Sequence, residues 1–509
     1  TPLNVPDDMG SDSDMGMDGD MDGEDDMTPV VEDEEFVISF LRKKKTGEER
    51  DNTYMYTVNT KSLDVVRASD DAAVCSYSCW VSDDLTSLVY LRPTAGQTQR
   101  FDVYAATLND GRQVEGEGSA IASDVEKVFF TGDAVSFSRS NVAYYLKLGT
   151  TEEVEVATLS AQASSTQDSW TFDIANELAV VFSPTLNKLN VRLGELGTPV
   201  VEDDSIYTID SSNYQMTSGA YFGSNIPSAI SPDGRYLAIL TDAPNNYGIC
   251  DTNADCDAAA GQHCGEQGLC TVREITLHTF DLQNLDELPN GSEQAGKQCT
   301  DDSECSAAHE CYIPAITQLD KARCIPRRTP LGLQSGLKQP RVVDAGVTQA
   351  TGCELTAGAD IRRYTDINTP MVFDQSNTLY VTAARDCGAI VAGERNMPDS
   401  DILAINPEGG AVSVVTGSEN QDFDAERCYD TTENKIDVTD CVIYIAQAVL
   451  SPGGNEFAVL ATNPDVQDPS LAASVLDVWT ILKDGSKREW VGQGTLFEEG
   501  RRVSTHEAR

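Results

Sequence analysis

Histidine is scarce, with four in 509 residues, and basic side chains are few: 36 Lys and Arg stand against 83 Asp and Glu. The resulting net charge of −47 excludes nucleic acid and anionic membrane surfaces as partners, because their phosphates would be repelled. Long apolar runs are missing too. The longest, Cys441 to Leu450, is broken by Gln447 and falls well short of the roughly 20 residues that a membrane-spanning helix needs. Helical periodicity is nearly absent, which argues for an all-β chain. There is no Gly-x-Ser-x-Gly elbow, no His-Glu-x-x-His helix and no Gly-x4-Gly-Lys-Ser/Thr loop, so the common hydrolase, metalloprotease and nucleotide-binding motifs are excluded. What is present suffices for a folded protein, since 40% of the residues are apolar. The length suits two or three ordinary domains or one large repeat architecture.

Fourteen cysteines speak to compartment, and eight of them lie between Cys250 and Cys324, in segments too poor in apolar residues to build a core. An even count at close spacing in such loops reads as disulfides and an oxidising environment. The eight form two variants of one module, Cys250-x5-Cys256-x7-Cys264-x5-Cys270 and Cys299-x5-Cys305-x5-Cys311-x12-Cys324. Each is read as a two-disulfide knot, and four cysteines leave three pairings open. The other expected pairs are Cys75 with Cys79, Cys353 with Cys387, and Cys428 with Cys441. The chain starts at Thr1 without a signal-like apolar region, as a secreted protein that has lost its leader would, and as a trimmed one would too.

Residues 1–35 hold fourteen Asp or Glu and no Lys or Arg. Such a segment repels itself and has little to bury, so it reads as an acidic tether or docking strand. Its five methionines, Met9, Met15, Met17, Met21 and Met27, would suit Cu(I) chemically, but low-complexity spacing explains them without a metal.

From Phe36 onward a repeat emerges. Ala229-Ile-Ser-Pro-Asp-Gly-Arg-Tyr-Leu-Ala-Ile-Leu and Ala448-Val-Leu-Ser-Pro-Gly-Gly-Asn-Glu-Phe-Ala-Val-Leu are its clearest copies: strand, tight turn, strand. Looser copies begin at Trp80, Trp170 and Met371, and second hairpins follow, as at Ile402 to Val415 and Leu476 to Trp490. Four short strands per unit, repeated, are the signature of a β-propeller blade. Seven units start near residues 36, 80, 132, 168, 228, 369 and 446. The first lacks an innermost strand, which the tail at 495–509 can supply. Six or eight blades stay open, because 204–228 and 325–365 are hard to assign.

The Ser-Pro-Asp-Gly-x-x-Leu-Ala string at Ser231, and its counterpart at Ser451 with Gly for Asp, resemble TolB-type (PD40, WD40-like) repeats of bacterial envelope proteins. The resemblance implies one propeller over 36–494 and a place in the cell envelope. TolB itself carries an extra N-terminal domain, where this chain has its acidic tail. The cysteine modules, inserted at 250–270 and 299–324, are similar in composition to those of secreted myxobacterial proteins.

In a blade with strands a to d running outward, a–b and c–d turns share one rim, and b–c and d–a connections share the other. The long connections at 204–228, 242–272, 385–400 and 417–442 fall in the second class and mark a candidate binding rim. The insertion at 289–340 is ambiguous, since the outer strand of its blade can precede or follow it.

Metal chemistry has one opening. Asp251, Asn253, Asp255 and Asp257 place oxygens at alternate positions, as a calcium loop requires, although Cys256 and Gln262 stand where glycine and a carboxylate are wanted. Zinc is disfavoured because neither module has a Cys-x2-Cys pair beside His263 or His309. His278, alone in a strand, reads as structural, and His506 has no visible partner. Asp233, in the Ser-Pro-Asp-Gly turn, is explained by turn geometry.

The expectation is an all-β, single seven-bladed propeller with disulfide-stapled insertions. It is secreted, periplasmic or surface-tethered through a lipid at its N-terminus, non-enzymatic, and docks a protein partner. No cofactor is expected unless calcium fills the 251–257 loop. The alternatives are a propeller hydrolase or lyase acting on polysaccharide or peptide, and a calcium-dependent adhesin.

Overall fold

The computed structural model describes residues 34–508 apart from short gaps and the longer connections 44–52, 160–167, 211–225, 257–262, 334–365, 416–428, 437–444, 463–475 and 493–498. Residues 1–33 lie outside the described residues, and so do Cys353, Cys387, Cys428 and Cys441, so the two pairs expected among these cysteines do as well.

Among the described residues seven antiparallel sheets, each with four strands in blade order, are the seven blades of a propeller, and the fifth is widened to six strands by two short ones. Blades 2 to 7 occupy residues 79–125, 128–158, 169–210, 228–333, 366–414 and 445–490. Blade 1 is split: Phe36–Lys43, Thr53–Asn59 and Val65–Arg67 are strands b to d, and Glu499–Glu507 is its innermost strand a. Blade 3 begins at Val128, earlier than the sequence pattern suggests, because its first hairpin turns on Gly132 and Asp133 alone. A glycine at φ 54° permits so tight a reversal.

Side chains alternate along each strand, so a middle strand serves two neighbours. On strand b of blade 2, Leu88 and Tyr90 pack toward blade 1, while Val89 and Leu91 pack toward blade 3. That rule repeats around the ring and leaves one buried apolar cluster at every seam. The seam between blades 7 and 1 is as apolar as the others, with Phe36, Ile38, Phe40 and Val503 against Val449, Leu460 and Val478.

Blades 1 to 3 share a further pattern. Phe40, Tyr90 and Phe137 on strand b lie opposite Tyr56, Tyr104 and Tyr144 on strand c. Two residues further on, Arg42, Arg92 and Arg139 set their guanidinium groups over those rings at 4.6–5.9 Å. Each is a cation–π contact.

The ambiguous insertion is resolved by pairing. Strand d of blade 5 is Arg323–Leu333, bonded to strand c from Thr279↔Arg327 onward, so the second cysteine module lies in the c–d connection. The first module lies in the b–c connection. The two knots therefore stand at opposite rims of one blade and do not share a working face.

Candidate functional site

Strands b (Tyr236–Ile249) and c (Leu269–Asp281) of blade 5 run 14 and 13 residues, the longest among the described residues. At their far end sits the first module, closed by Cys250–Cys264 and Cys256–Cys270. Cys299–Cys311 and Cys305–Cys324 close the second. Both follow one connectivity, first to third and second to fourth, and in both the third and last cysteines face each other across a short hairpin. With closures of 12 to 19 residues, each bridge contributes about 3 kcal/mol to a segment that has almost no core. A fifth disulfide, Cys75–Cys79, is buried beside blade 2. No described cysteine is free, so these ten place the chain in an oxidising, extracytoplasmic type of environment.

The acidic stretch of each module is a capped turn. Thr252 caps a 3-10 turn at Asn253–Asp255, and Asp301 caps one at Asp302–Glu304. Asp255 Oδ2 accepts from the Asp251 and Thr252 amides at 3.0 and 2.9 Å, as Glu304 Oε2 accepts from the Thr300 amide at 2.7 Å. These amides hold the Asp255 carboxyl below its ordinary range. Asn253 and Asp302 each accept the amide of the third cysteine, at 2.7 and 2.8 Å. Two oxygens of the calcium-like string, those of Asn253 and Asp255, thus hold their own loop. Asp251 is exposed, and Asp257 lies outside the described residues.

A second constellation is the circle of inner a–b turns. Ser231 donates to Asp233 at 2.6 Å and accepts the Tyr236 amide at 2.8 Å, and Asp233 also accepts from Asn377 of blade 6 at 2.8 Å. Asn176 of blade 4 reaches the Pro232 carbonyl, and the Asp83 amide of blade 2 donates to Asp133 of blade 3. Lys483 of blade 7 pairs with Asp374 of blade 6 at 2.6 Å. These carboxylates tie blade to blade; Asp233 does so through Oδ2, while its Oδ1 holds its own turn. Asp83 is exposed in its turn, and partial desolvation by the neighbouring chain, with Asp133 and Asp84 nearby, raises its carboxyl to about 6.

The described histidine side chains are sealed and hydrogen-bonded. His278 Nε2 meets Thr241 Oγ1 at 2.8 Å, and His506 Nε2 meets Ser39 Oγ at 2.7 Å. The partner of His506 is invisible in sequence because 467 positions separate it from Ser39. His309 locks the second module to blade 5: Nε2 accepts the Asp281 amide at 3.1 Å, while Nδ1 faces Ser306 at 2.9 Å and Glu287 at 3.3 Å. An Nε2 that accepts from an amide assigns the proton to Nδ1 of a neutral ring. Burial depresses all three, His278 to about 3 and His506 to about 4, with His309 also lowered.

A pH dependence follows. Because the folded values lie below the ordinary one, the histidines favour the folded state above about pH 6.5, and that support is lost as pH falls toward 4. Each contributes up to about 1.4 kcal/mol per pH unit within its window. Asp83 acts oppositely, gaining from protonation below about 6. Urea unfolding between pH 7 and 5 is expected to show stability dropping steadily, with a shallower slope in His278→Asn. A profile flat over that range would contradict the assignment of neutral buried rings.

The sequence matches no protein-family profile and no curated protein. Among solved structures, a candidate 6-phosphogluconolactonase from Bacteroides fragilis aligns at TM-score 0.41 and 8% identity, over 94% of this chain and 100% of that one. A periplasmic gluconolactonase from Pseudomonas aeruginosa aligns at 0.40 and 11%, over 92% and 99%. Prolyl oligopeptidase B from Galerina marginata aligns at 0.39 and 10%, over 92% of this chain and 52% of its own.

Proposed function

We propose that this chain is a non-enzymatic, protein-binding propeller, a subunit of an envelope or extracellular assembly, which docks its partner on the a–b/c–d rim of blades 4 to 6, the rim opposite the one that the long connections of the sequence mark. One observation carries the reading. Among the described residues the exposed large apolar side chains are Ile174, Val201, Ile313, Leu319 and Val412. Ile174 is in the a–b turn of blade 4 and Val201 in its c–d connection. Ile313 and Leu319 belong to the second module, and Val412 follows the c–d turn of blade 6. All five fall on one rim of three consecutive blades, where apolar surface has no structural use. Acidic groups lie among them, including Glu177, Asp301, Asp302, Glu304, Asp320 and Glu408. The matching partner surface is apolar at its centre and basic at its edge. Residues 1–35 would add a tether or a second contact for basic groups.

The test is cross-linking mass spectrometry in the native extracellular or envelope fraction, comparing wild type with Val201→Glu/Leu319→Glu/Val412→Glu. The variant is expected to keep its melting temperature and lose cross-links to one defined neighbour. Capture of the same neighbour in unchanged yield would refute the rim.

A further inference from the structure

The inner turn of blade 7 departs from those of blades 2 and 5 in one residue, and the departure is answered from elsewhere in the chain. In blade 5, Ser231 donates to Asp233 two residues on, and Asp233 accepts the Arg235 amide at 3.0 Å. Blade 2 repeats this with Ser82 and Asp84 at 2.7 Å and the Thr86 amide at 3.0 Å. In both, the serine hydroxyl also accepts the amide five residues on, at 2.8 Å from Tyr236 and 2.9 Å from Ser87. Blade 7 keeps the serine, and Ser451 accepts the Glu456 amide at 3.1 Å. Where the carboxylate should be, however, it has Gly453.

Glu34 fills the place. Its Oε2 accepts from Ser451 Oγ at 2.6 Å, its Oε1 accepts the Gly453 amide at 2.6 Å, and its own amide donates to Glu456 at 2.9 Å. Gly453 is not in the left-handed region, unlike Gly454 at φ 75°. Its backbone therefore tolerates any side chain, and space alone demands glycine. A Cβ there would lie 2.6 Å from Glu34 Oε2.

We propose that Glu34 is a latch: the residue ahead of the first strand completes the last blade's inner turn in trans. Closure of the seam between blades 7 and 1 then depends on the N-terminal flank as well as on the C-terminal strand. The missing aspartate and the glutamate that replaces it are one functional unit divided between the two ends of the propeller. Loss of the chain through residue 34, by proteolysis or by displacement, would leave the Ser451 hydroxyl and Gly453 amide without their acceptor and loosen that turn. The device is independent of which partner the rim binds.

A double-mutant cycle on the full chain tests it, read by hydrogen exchange of the Gly453 to Glu456 amides and by melting temperature. Glu34→Ala is expected to speed exchange there about tenfold, the equivalent of one charge-assisted hydrogen bond. Gly453→Asp alone is expected to do the same or worse, because two carboxylates compete for one space. Glu34→Ala/Gly453→Asp restores the arrangement of blades 2 and 5, and exchange is expected to return to within about threefold of wild type, a strongly non-additive result. The proposal is overturned if Glu34→Ala leaves these amides unchanged. It is equally overturned if Gly453→Asp is no less harmful in the Glu34→Ala background than in wild type.

Discussion

A chain ending at Gly494 is expected to lose cooperative unfolding altogether. Truncation there removes Glu499–Glu507, the innermost strand of blade 1, which pairs with Phe36–Lys43 from Phe36↔Glu507 to Lys43↔Glu499. Three kinds of damage coincide. The ladder on Phe36–Lys43 becomes an open edge, a template for pairing with other chains. Val503 leaves the cluster holding Phe36, Ile38 and Phe40 against blade 7, opening a cavity at the seam. Ser39, 2% exposed, loses His506 and is left as an unsatisfied buried group. Together these remove a large share of the roughly 5–15 kcal/mol that stabilises a typical domain. Circular dichroism melts and a dye for exposed apolar surface would register the result as a broad transition with strong dye binding. A truncated chain melting sharply within a few degrees of the full one would show that the ring does not need its last strand.

Asp477→Ala is expected to cost about 3–5 kcal/mol, the range for breaking a buried ion pair by removing one partner. Arg42 and Asp477 meet at 2.6 Å with side-chain exposures of 6% and 1%. Asp477 also accepts from the Trp490 indole at 3.0 Å, and Arg42 reaches the Gly492 carbonyl at 3.2 Å. The pair joins strand b of blade 1 to strand c of blade 7, so the same seam is bolted by charge as well as by apolar packing. Asp477→Asn keeps the shape and is expected to lose most of the same amount, because the guanidinium stays buried without its counter-charge. Arg42→Met/Asp477→Leu removes both charges and should cost much less than either single change to alanine. Urea midpoints at pH 7 measure all of these. A loss below about 1 kcal/mol for Asp477→Ala would mean the pair is solvated, as surface pairs are.

The blades were legible because each carries its own hairpin: the strings at Ser231 and Ser451 fall on a–b turns, and the second hairpins fall on c–d turns. Local hydrogen bonding and alternation write that information into adjacent residues. The region at 204–228 is hard to assign because its outer strand, Ser205–Asp210, is only partly buried and weakly patterned. Arg323–Leu333 is mostly buried, but the cysteine module inserted ahead of it separates it from the strand it pairs with. The repeat Phe/Tyr-x-Arg at Phe40, Tyr90 and Phe137 was present in the sequence and could have anchored the first three blades. The role of His309 and the latch at Glu34 could not be read, because each depends on a partner brought near only by the closed fold. The alternating acids at 251–257 could not be assigned from sequence, because a capped turn and a cation loop both ask for oxygen at every second position.

The closure of the ring has a mechanical consequence. Phe36 and Glu507 are paired neighbours, so the propeller's first and last strands end side by side on one rim. Tension drawing those two ends apart would peel the antiparallel pair open one hydrogen-bonded step at a time. A load entering at one terminus and leaving through the far rim would instead shear all the pairs at once. The first geometry yields at low force and the second resists. The blade 4 to 6 rim is the rim on which these ends lie, so a partner pulling there against the N-terminal flank loads neither geometry in pure form, and Glu34, bonded to Ser451 and Gly453, would pass part of that load into blade 7.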